Sequence, residues 1–272
     1  RVMSSDSGPQ QHRFSTKQEE KVEVNGEMAP DSASLRTLTG ATLTYFALSS
    51  RAEPSRLALA LASVPFHDER LSWGEWTRAH PDGGRRAQAP WNSLPYLTLA
   101  DGTTTIGQSR AIHRYVGSAT GLYPRDDSLS AAIVDECIDG LDDLILACKA
   151  VGRPAGLPQP QMFERERAIE PGGAVYAAVE RVEALYARAA HSQTYLLGQL
   201  SMADLALFAY VGHVTSGFFD GVHAGVLSDF DRVRAARSQV ASHPGVLAYY
   251  EEEVRKPYYA GVAEHYAAVR GI

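Results

Sequence analysis

The chain has 272 residues and a formal net charge of −6 at pH 7, and 44% of its residues are hydrophobic. That length corresponds to one or two domains at roughly 100–200 residues each, and the hydrophobic content suffices for a sizeable core. Both charge signs are mixed along the chain, so the basic patch that attracts nucleic acid or an anionic membrane is not expected. No run of about 18 apolar residues occurs, which excludes a predicted transmembrane helix.

The two cysteines, Cys137 and Cys148, form no C-x-x-C motif and no His/Cys cluster with metal-ligand spacing. A disulfide scaffold and a structural metal site are therefore not predicted. A reducing compartment such as the cytoplasm is the expected location.

Residues 1–40 are rich in Ser, Gln, Glu and Lys and contain one aromatic residue, Phe14. Such a segment buries too little apolar surface to offset its ordering entropy, so a disordered tail is predicted. It lacks the apolar core of a secretory signal. An organelle transit peptide is the other interpretation, but acidic residues are frequent after position 18.

The segment 41–124 alternates between strand and helix patterns. Residues 42–47 predict a strand, a helix enters near Pro54 and stops at Pro65, and residues 66–71 predict a second strand.

After an irregular stretch, residues 94–99 predict a third strand, an Asp-Gly turn follows, and residues 103–106 return as a hairpin. A helix capped at Gln108 and Ser109 ends the segment. The order βαβ, loop, ββα is the thioredoxin-like layout.

Residues 127–272 predict an all-α domain. Ser201-Met-Ala-Asp204 resembles a capping box with Asp in place of Glu. Several amphipathic helices in succession predict a bundle that follows the α/β domain and carries a hydrophobic substrate site. Three apolar stripes at helical spacing support this prediction: Val134, Ile138, Leu141, Ile145 and Cys148; Val175, Val179, Val182, Tyr186 and Ala189; and Leu205, Phe208, Ala209 and Gly212.

Over residues 42–250 the chain resembles the glutathione transferase family, most of all the sigma class that includes the glutathione-dependent prostaglandin D synthases. Each motif is weak alone, but their order is specific. They are Leu43-Thr-Tyr45-Phe, Arg51-Ala-Glu53 with Arg56, Trp76, Leu94-Pro95-Tyr-Leu, Gln108-Ser109-Arg-Ala-Ile-His-Arg-Tyr, Gly121-Leu-Tyr-Pro124 and Ala203-Asp204-Leu205.

The resemblance implies that Tyr45 and Arg51 are catalytic. A free thiol has a pKa of about 8.5, and a hydrogen bond donated by the Tyr45 hydroxyl to the glutathione sulfur would favour the thiolate. The N-terminus of the following helix and Arg51 would add positive potential. The alternatives are a strand aromatic in the core for Tyr45 and a surface arginine for Arg51.

The resemblance also implies where the tripeptide backbone binds. A cis Leu94–Pro95 bond would leave the Leu94 backbone free to pair with the Cys residue of glutathione, whereas an ordinary strand start is the alternative. The γ-Glu carboxylate would bind at Gln108 and Ser109, at a helix N-terminus. Ser109 could equally be only an N-cap.

The Gly end of glutathione is predicted at Trp76, His80 and Ser93. The family usually has lysines where this chain has His80 and Ser93, and Arg85 or Arg86 could substitute for them.

Asp135 resembles the aspartate that reaches the partner's glutathione amine across a homodimer. It belongs to a set of aspartates on the same predicted helix, namely Asp135, Asp139, Asp142 and Asp143. We interpret this set as a solvated helix face, with a divalent-cation site as the alternative.

The predicted function is conjugation of glutathione to apolar electrophiles. These would bind near Leu144–Val151 or near the tyrosine-rich tail with Tyr249, Tyr250, Tyr258 and Tyr259. Two alternatives are a glutathione-dependent isomerase of the prostaglandin D synthase type and a non-catalytic ligand-binding or lens-crystallin-like protein. A glutaredoxin-like reductase is disfavoured because no cysteine lies near the first helix.

Overall fold

The computed structural model describes residues 28–77, 84–150, 164, 166–189, 194–219, 221–253 and 267. Its strands and helices are β1 (Thr42–Phe46), β2 (His67–Leu71), β3 (Tyr96–Thr98), β4 (Thr105–Gly107), α1 (Ser32–Leu38), α2 (Glu53–Leu61), α3 (Trp73–Thr77), α4 (Gly84–Gln88), α5 (Ser109–Thr120), α6 (Ser128–Ala150), α7 (Ala174–Ala189), α8 (Met202–Thr215), α9 (Asp231–Ala241) and α10 (Pro244–Glu253).

The four strands form one mixed sheet in the order β2-β1-β3-β4. Strand β1 pairs in parallel with β2 and antiparallel with β3, and β3 pairs antiparallel with β4. The predicted βαβ and ββα units are therefore confirmed. Leu43 and Leu97 face each other across β1 and β3 and are fully buried, so the centre of the sheet belongs to the core.

The segment before the sheet is partly ordered, in contrast to the predicted disorder over residues 1–40. Asp31 caps α1 by accepting from the backbone amides of Ala33 and Ser34. The helix packs on α5, and its Leu38 is completely buried. The cap and the packing of Leu38 thus accompany an ordered helix over Ser32–Leu38, which corrects the disorder prediction there. Residues 1–27 lie outside the described residues.

Helix α8 lies at the centre of the helical half, and all of its residues are buried. It contacts α6 and α9 as well as α2 of the α/β half. The sequence predicted a single apolar stripe through Leu205 and Phe208. The helix is instead buried on every side, and such a helix is apolar on all its faces. Among the described residues, no helix has the length and apolarity needed to cross a bilayer.

The predicted capping box at the start of α8 is confirmed, with Ser201 as the N-cap and Asp204 in the first turn. The Asp204 carboxylate accepts from the Ser201 amide at 2.9 Å, the Leu196 amide at 2.9 Å and the Tyr186 hydroxyl at 2.9 Å. Burial raises the pKa of Asp204, although these hydrogen bonds oppose the shift. This carboxylate therefore fixes both the start of the central helix and the chain that leads into it.

We expect Asp204→Ala to lower the free energy of unfolding by about 3 kcal/mol, because the substitution leaves several buried donors without an acceptor. Urea denaturation followed by circular dichroism measures the change. Asp126→Ala is the control, since Asp126 is exposed and surface substitutions shift stability by about 0.5 kcal/mol or less. Equal losses in the two variants would contradict this account.

Candidate active site

Tyr45 lies near the end of β1, and its side chain is 6% exposed. The ring belongs to the core, as the alternative interpretation expected. Its hydroxyl lies beside the Ser50 hydroxyl and the Arg51 backbone amide, and burial raises the Tyr45 pKa even though these two groups and two arginines oppose the shift. The phenol therefore keeps its proton at neutral pH and can donate it in a hydrogen bond.

Arg51 forms an ion pair with Asp142 of α6. The Arg51 side chain is 17% exposed, so it is a paired, partly buried arginine and not a freely solvated one. Asp142 is also buried, which corrects the interpretation of the set of aspartates as a wholly solvated face. Its spacing from Ile138 and Ile145, four residues before and three after, places it on the buried side of α6, and the sequence contained this signal.

Arg56 holds the backbone that connects Tyr45 to Arg51. Its guanidinium donates to the carbonyls of Phe46 and Leu48 at 3.3 and 2.9 Å and lies 5.8 Å from the centre of the Tyr45 ring. The side chain is completely buried. Arg56 was part of the motif in the sequence, but its role in holding this backbone was not predicted.

The Leu94–Pro95 peptide bond is cis, as predicted. Pairing between β1 and β3 begins only at Tyr96, opposite Thr44. Among the described residues, neither the amide nor the carbonyl of Leu94 has a backbone hydrogen-bond partner. Both groups are therefore available to an extended peptide laid along this edge.

Gln108 and Ser109 lie at the N-terminus of α5, with Gln108 as the N-cap at φ 67° and Ser109 as the first helical residue. Gln108, not Ser109, is the N-cap, and its side chain makes no capping hydrogen bond, so the interpretation of Ser109 as only an N-cap is wrong. Gln108 is exposed and Ser109 is buried. Uncapped amides at a helix N-terminus suit a carboxylate.

A buried polar chain that sequence reasoning missed runs behind Ser109. The His113 ring lies 2.8 Å from the Ser55 hydroxyl through Nδ1 and 3.2 Å from the Tyr210 hydroxyl through Nε2. Tyr210 in turn interacts with the Ser109 hydroxyl. Burial lowers the His113 pKa to about 3, and the charges of Arg51 and Arg114 add to the shift. The imidazole is therefore neutral at physiological pH.

The residues predicted for the Gly end are only partly described, since His80 lies outside the described residues. Trp76 is buried in a small cluster with Leu71, Ala89 and Tyr96. Ser93 is half-buried.

Arg85, the proposed substitute cation, forms an ion pair with Glu69 of β2. Arg86 is exposed. Of the two arginines named for the Gly carboxylate, Arg85 is therefore paired with Glu69, whereas Arg86 is open to solvent.

Asp135 makes its contacts within the chain. Its carboxylate accepts from Arg114 at 2.7 Å and from the Tyr123 hydroxyl at 3.1 Å. These bonds join α6 to α5 and explain the residue without a second subunit, so the cross-dimer role stays a prediction. Within the described residues, no group of three His, Cys, Asp or Glu side chains is arranged to hold a metal ion.

Comparison with known proteins gives the family. Glutathione S-transferase A3 of Mus musculus is 30% identical over 226 residues, which cover 79% of this chain and 91% of that protein. The chain belongs to the glutathione transferase family.

The model of the glutathione S-transferase C-terminal domain matches residues 172–253 of this transferase-family chain. S-crystallin 3 of Enteroctopus dofleini is 26% identical over 222 residues, covering 79% of this chain and 97% of that protein. The structure of prostaglandin synthase D of Nilaparvata lugens superposes with a TM-score of 0.65 at 22% identity, covering 78% of this chain and 98% of that one. This structural likeness supports the fold.

The lowered pKa of His113 should make the free energy of unfolding depend on pH. Its folded pKa of about 3 lies below the unfolded value of about 6.5, so the unfolded chain binds the extra proton as the pH falls. We expect the wild type to lose about 2 kcal/mol of stability between about pH 6.5 and pH 5 from this group, and His113→Gln to lose correspondingly less.

Urea denaturation at several pH values measures this slope. His67→Gln is the matched control, because His67 is exposed. A slope unchanged by His113→Gln would show that the imidazole is not neutral and buried in solution.

Proposed function

We propose that this protein binds glutathione and that the Tyr45 hydroxyl stabilises the glutathione thiolate for attack on apolar electrophiles. The position of Tyr45 carries the proposal. Its protonated phenol lies next to the Arg51 amide and close to the charges of Arg51 and Arg56. A donor and two cations around one point favour an anion such as a thiolate.

Each of the three residues of glutathione has a proposed partner in this chain. The free Leu94 backbone pairs with the Cys residue, and the α5 N-terminus with Gln108 and Ser109 receives the γ-Glu carboxylate. Trp76, His80 and Ser93 receive the Gly end, as the resemblance implies.

Asp135 would contact the amine of glutathione held by the partner of a homodimer. We propose the cytoplasm as the place of action, where glutathione is the common thiol.

Binding places the sulfur and the electrophile together, and the thiolate then adds to the electrophile or displaces a leaving group from it. The apolar substrate was expected at α6 or at the tyrosine-rich tail. Of the candidates, Tyr250 is buried with its hydroxyl on Glu53, so it serves the structure. Leu146 is exposed on α6, and residues 151, 258 and 259 lie outside the described residues.

A non-catalytic protein is the second candidate, because several curated relatives of this chain are S-crystallins. The uncharged Ser93 at the Gly end favours the same interpretation. A glutathione-dependent isomerase is a third candidate, with the Nilaparvata lugens synthase as a structural relative. Assays with an aryl halide and with a prostaglandin endoperoxide separate the three.

Tyr45→Phe tests the proposed function. We expect kcat to fall about 100-fold, equivalent to about 2.7 kcal/mol, and the pKa of the bound thiol to rise by about two units. The glutathione KM should change little, because the phenol acts on the thiolate rather than on the rest of the peptide. Conjugation kinetics and the ultraviolet absorbance of the thiolate give these quantities.

Tyr176→Phe is the control for that experiment, since it removes a hydroxyl bonded to Asp229 in an exposed setting. Equal rates in Tyr45→Phe and the wild type would remove Tyr45 from the mechanism. A wild type that binds glutathione without thiolate absorbance or turnover would favour the crystallin-like candidate.

Ser93→Lys tests the placement of the Gly end. A lysine there should strengthen glutathione binding about 3- to 10-fold through a charge-assisted hydrogen bond to the carboxylate, as measured by isothermal titration calorimetry. Ser238→Lys adds the same charge at an exposed position on α9 and should leave the affinity unchanged. Weaker binding in Ser93→Lys would place the Gly carboxylate elsewhere.

A further inference from the structure

Helix α10 joins the helical half of the chain to the structure beneath Tyr45. The Tyr250 hydroxyl donates to the Glu53 carboxylate at 2.9 Å, and Arg70 of β2 donates to the Glu253 carboxylate at 2.7 Å. Tyr250 and Glu253 are each 1% exposed. Both contacts cross from the last described helix to the first βαβ unit.

These contacts end in a set of buried charges that we call the charge cluster: Glu53, Arg56, Asp68, Arg70 and Glu253. Arg56 pairs with Glu53 at 3.2 Å and with Asp68 at 3.0 Å. Arg70 pairs with Asp68 at 2.7 Å. Each arginine thus holds two carboxylates, and Asp68 joins the arginines to each other.

The charges in this cluster depend on one another. Burial raises the pKa of Glu53 despite its arginine neighbours. At Asp68, burial also opposes ionisation, but Arg56 and Arg70 outweigh it and lower the pKa. Because the Coulomb interaction is strong where water is excluded, loss of one carboxylate should change where the arginines lie.

Arg56 connects the charge cluster to the residues around the Tyr45 hydroxyl. It binds the carbonyls of Phe46 and Leu48 and lies over the Tyr45 ring. Residues 47–52, the β1–α2 loop, carry the Ser50 hydroxyl and the Arg51 amide that lie beside the Tyr45 hydroxyl. One path from α10 to the phenol therefore runs through the charge cluster, in which Arg56 is the member that contacts the loop carbonyls and the Tyr45 ring.

We propose that Tyr250 and Glu253 are positioning residues for the Tyr45 hydroxyl and act on it through the charge cluster and Arg56. The proposal rests on the proposed function, because a positioned phenol matters only if glutathione binds beside it. It assigns a task to the end of α10, which contributes none of the residues proposed to bind the peptide.

Glu253→Gln and Tyr250→Phe test the proposal, with Glu251→Gln as the control because Glu251 is exposed on the same helix. Amide hydrogen exchange of residues 47–51 reports the order of the β1–α2 loop without any ligand. The ultraviolet absorbance of bound glutathione reports the thiolate, and kinetics separate kcat from KM. Circular dichroism verifies that each variant is folded.

We expect loop exchange to rise about tenfold in both variants, kcat to fall about tenfold, and the pKa of the bound thiol to rise, while the glutathione KM stays within about twofold. Tyr250→Phe removes only one hydroxyl and keeps the test decisive where Glu253→Gln fails to fold. The control should match the wild type in every readout.

Unchanged loop exchange in the folded variants would overturn the proposal. Faster exchange with unchanged kcat and thiol pKa would also overturn it, since the helix would then hold the loop without serving the phenol. A wild type without bound thiolate would defeat the proposed function instead, and loop exchange alone would then decide whether α10 holds the β1–α2 loop.

Discussion

The Arg56 guanidinium is completely buried. A guanidinium without access to water must be surrounded by anions and carbonyl oxygens. Desolvating an isolated charge costs several kcal/mol, which only close partners offset. Those partners come from the end of β1, from α2, from β2 and, through Arg70, from α10. Three neighbouring elements of the α/β half and one distant helix, α10, are thus held together 5.8 Å from the centre of the Tyr45 ring.

The geometry around the Tyr45 hydroxyl depends on the contacts that Arg56 makes. The Arg56 guanidinium donates to the backbone carbonyls of Phe46 and Leu48 and so fixes the course of the β1–α2 loop. In this conformation the loop places the Ser50 hydroxyl and the Arg51 amide beside the phenol. Arg51 then turns to α6 and pairs with Asp142. The donors are therefore in place before any ligand arrives, which is the preorganisation that electrostatic stabilisation of an anion requires.

A second polar connection crosses the boundary between the α/β half and the helical half. His113 of α5 lies between Ser55 of α2 and Tyr210 of α8, in a region otherwise filled by apolar side chains. A neutral imidazole suits this place because it has both a donor and an acceptor nitrogen. Satisfied buried polar groups favour one packing arrangement over others, so this chain helps to define how α5 meets α8.

The sequence alone was sufficient for the elements set by local rules. Alternation, proline and turn residues marked the strands and their order along the chain, and the Ser201–Asp204 capping box followed from a short motif. The cis Leu94–Pro95 bond was an implication of the family resemblance. Tertiary structure decided what depends on distant contacts. Helix α1 was ordered by packing on α5, and Asp142 became the partner of Arg51 only when α6 met the β1–α2 loop. Burial, which sets whether a charge is solvated or paired, is a property of the assembled chain, and local sequence therefore could not assign these roles.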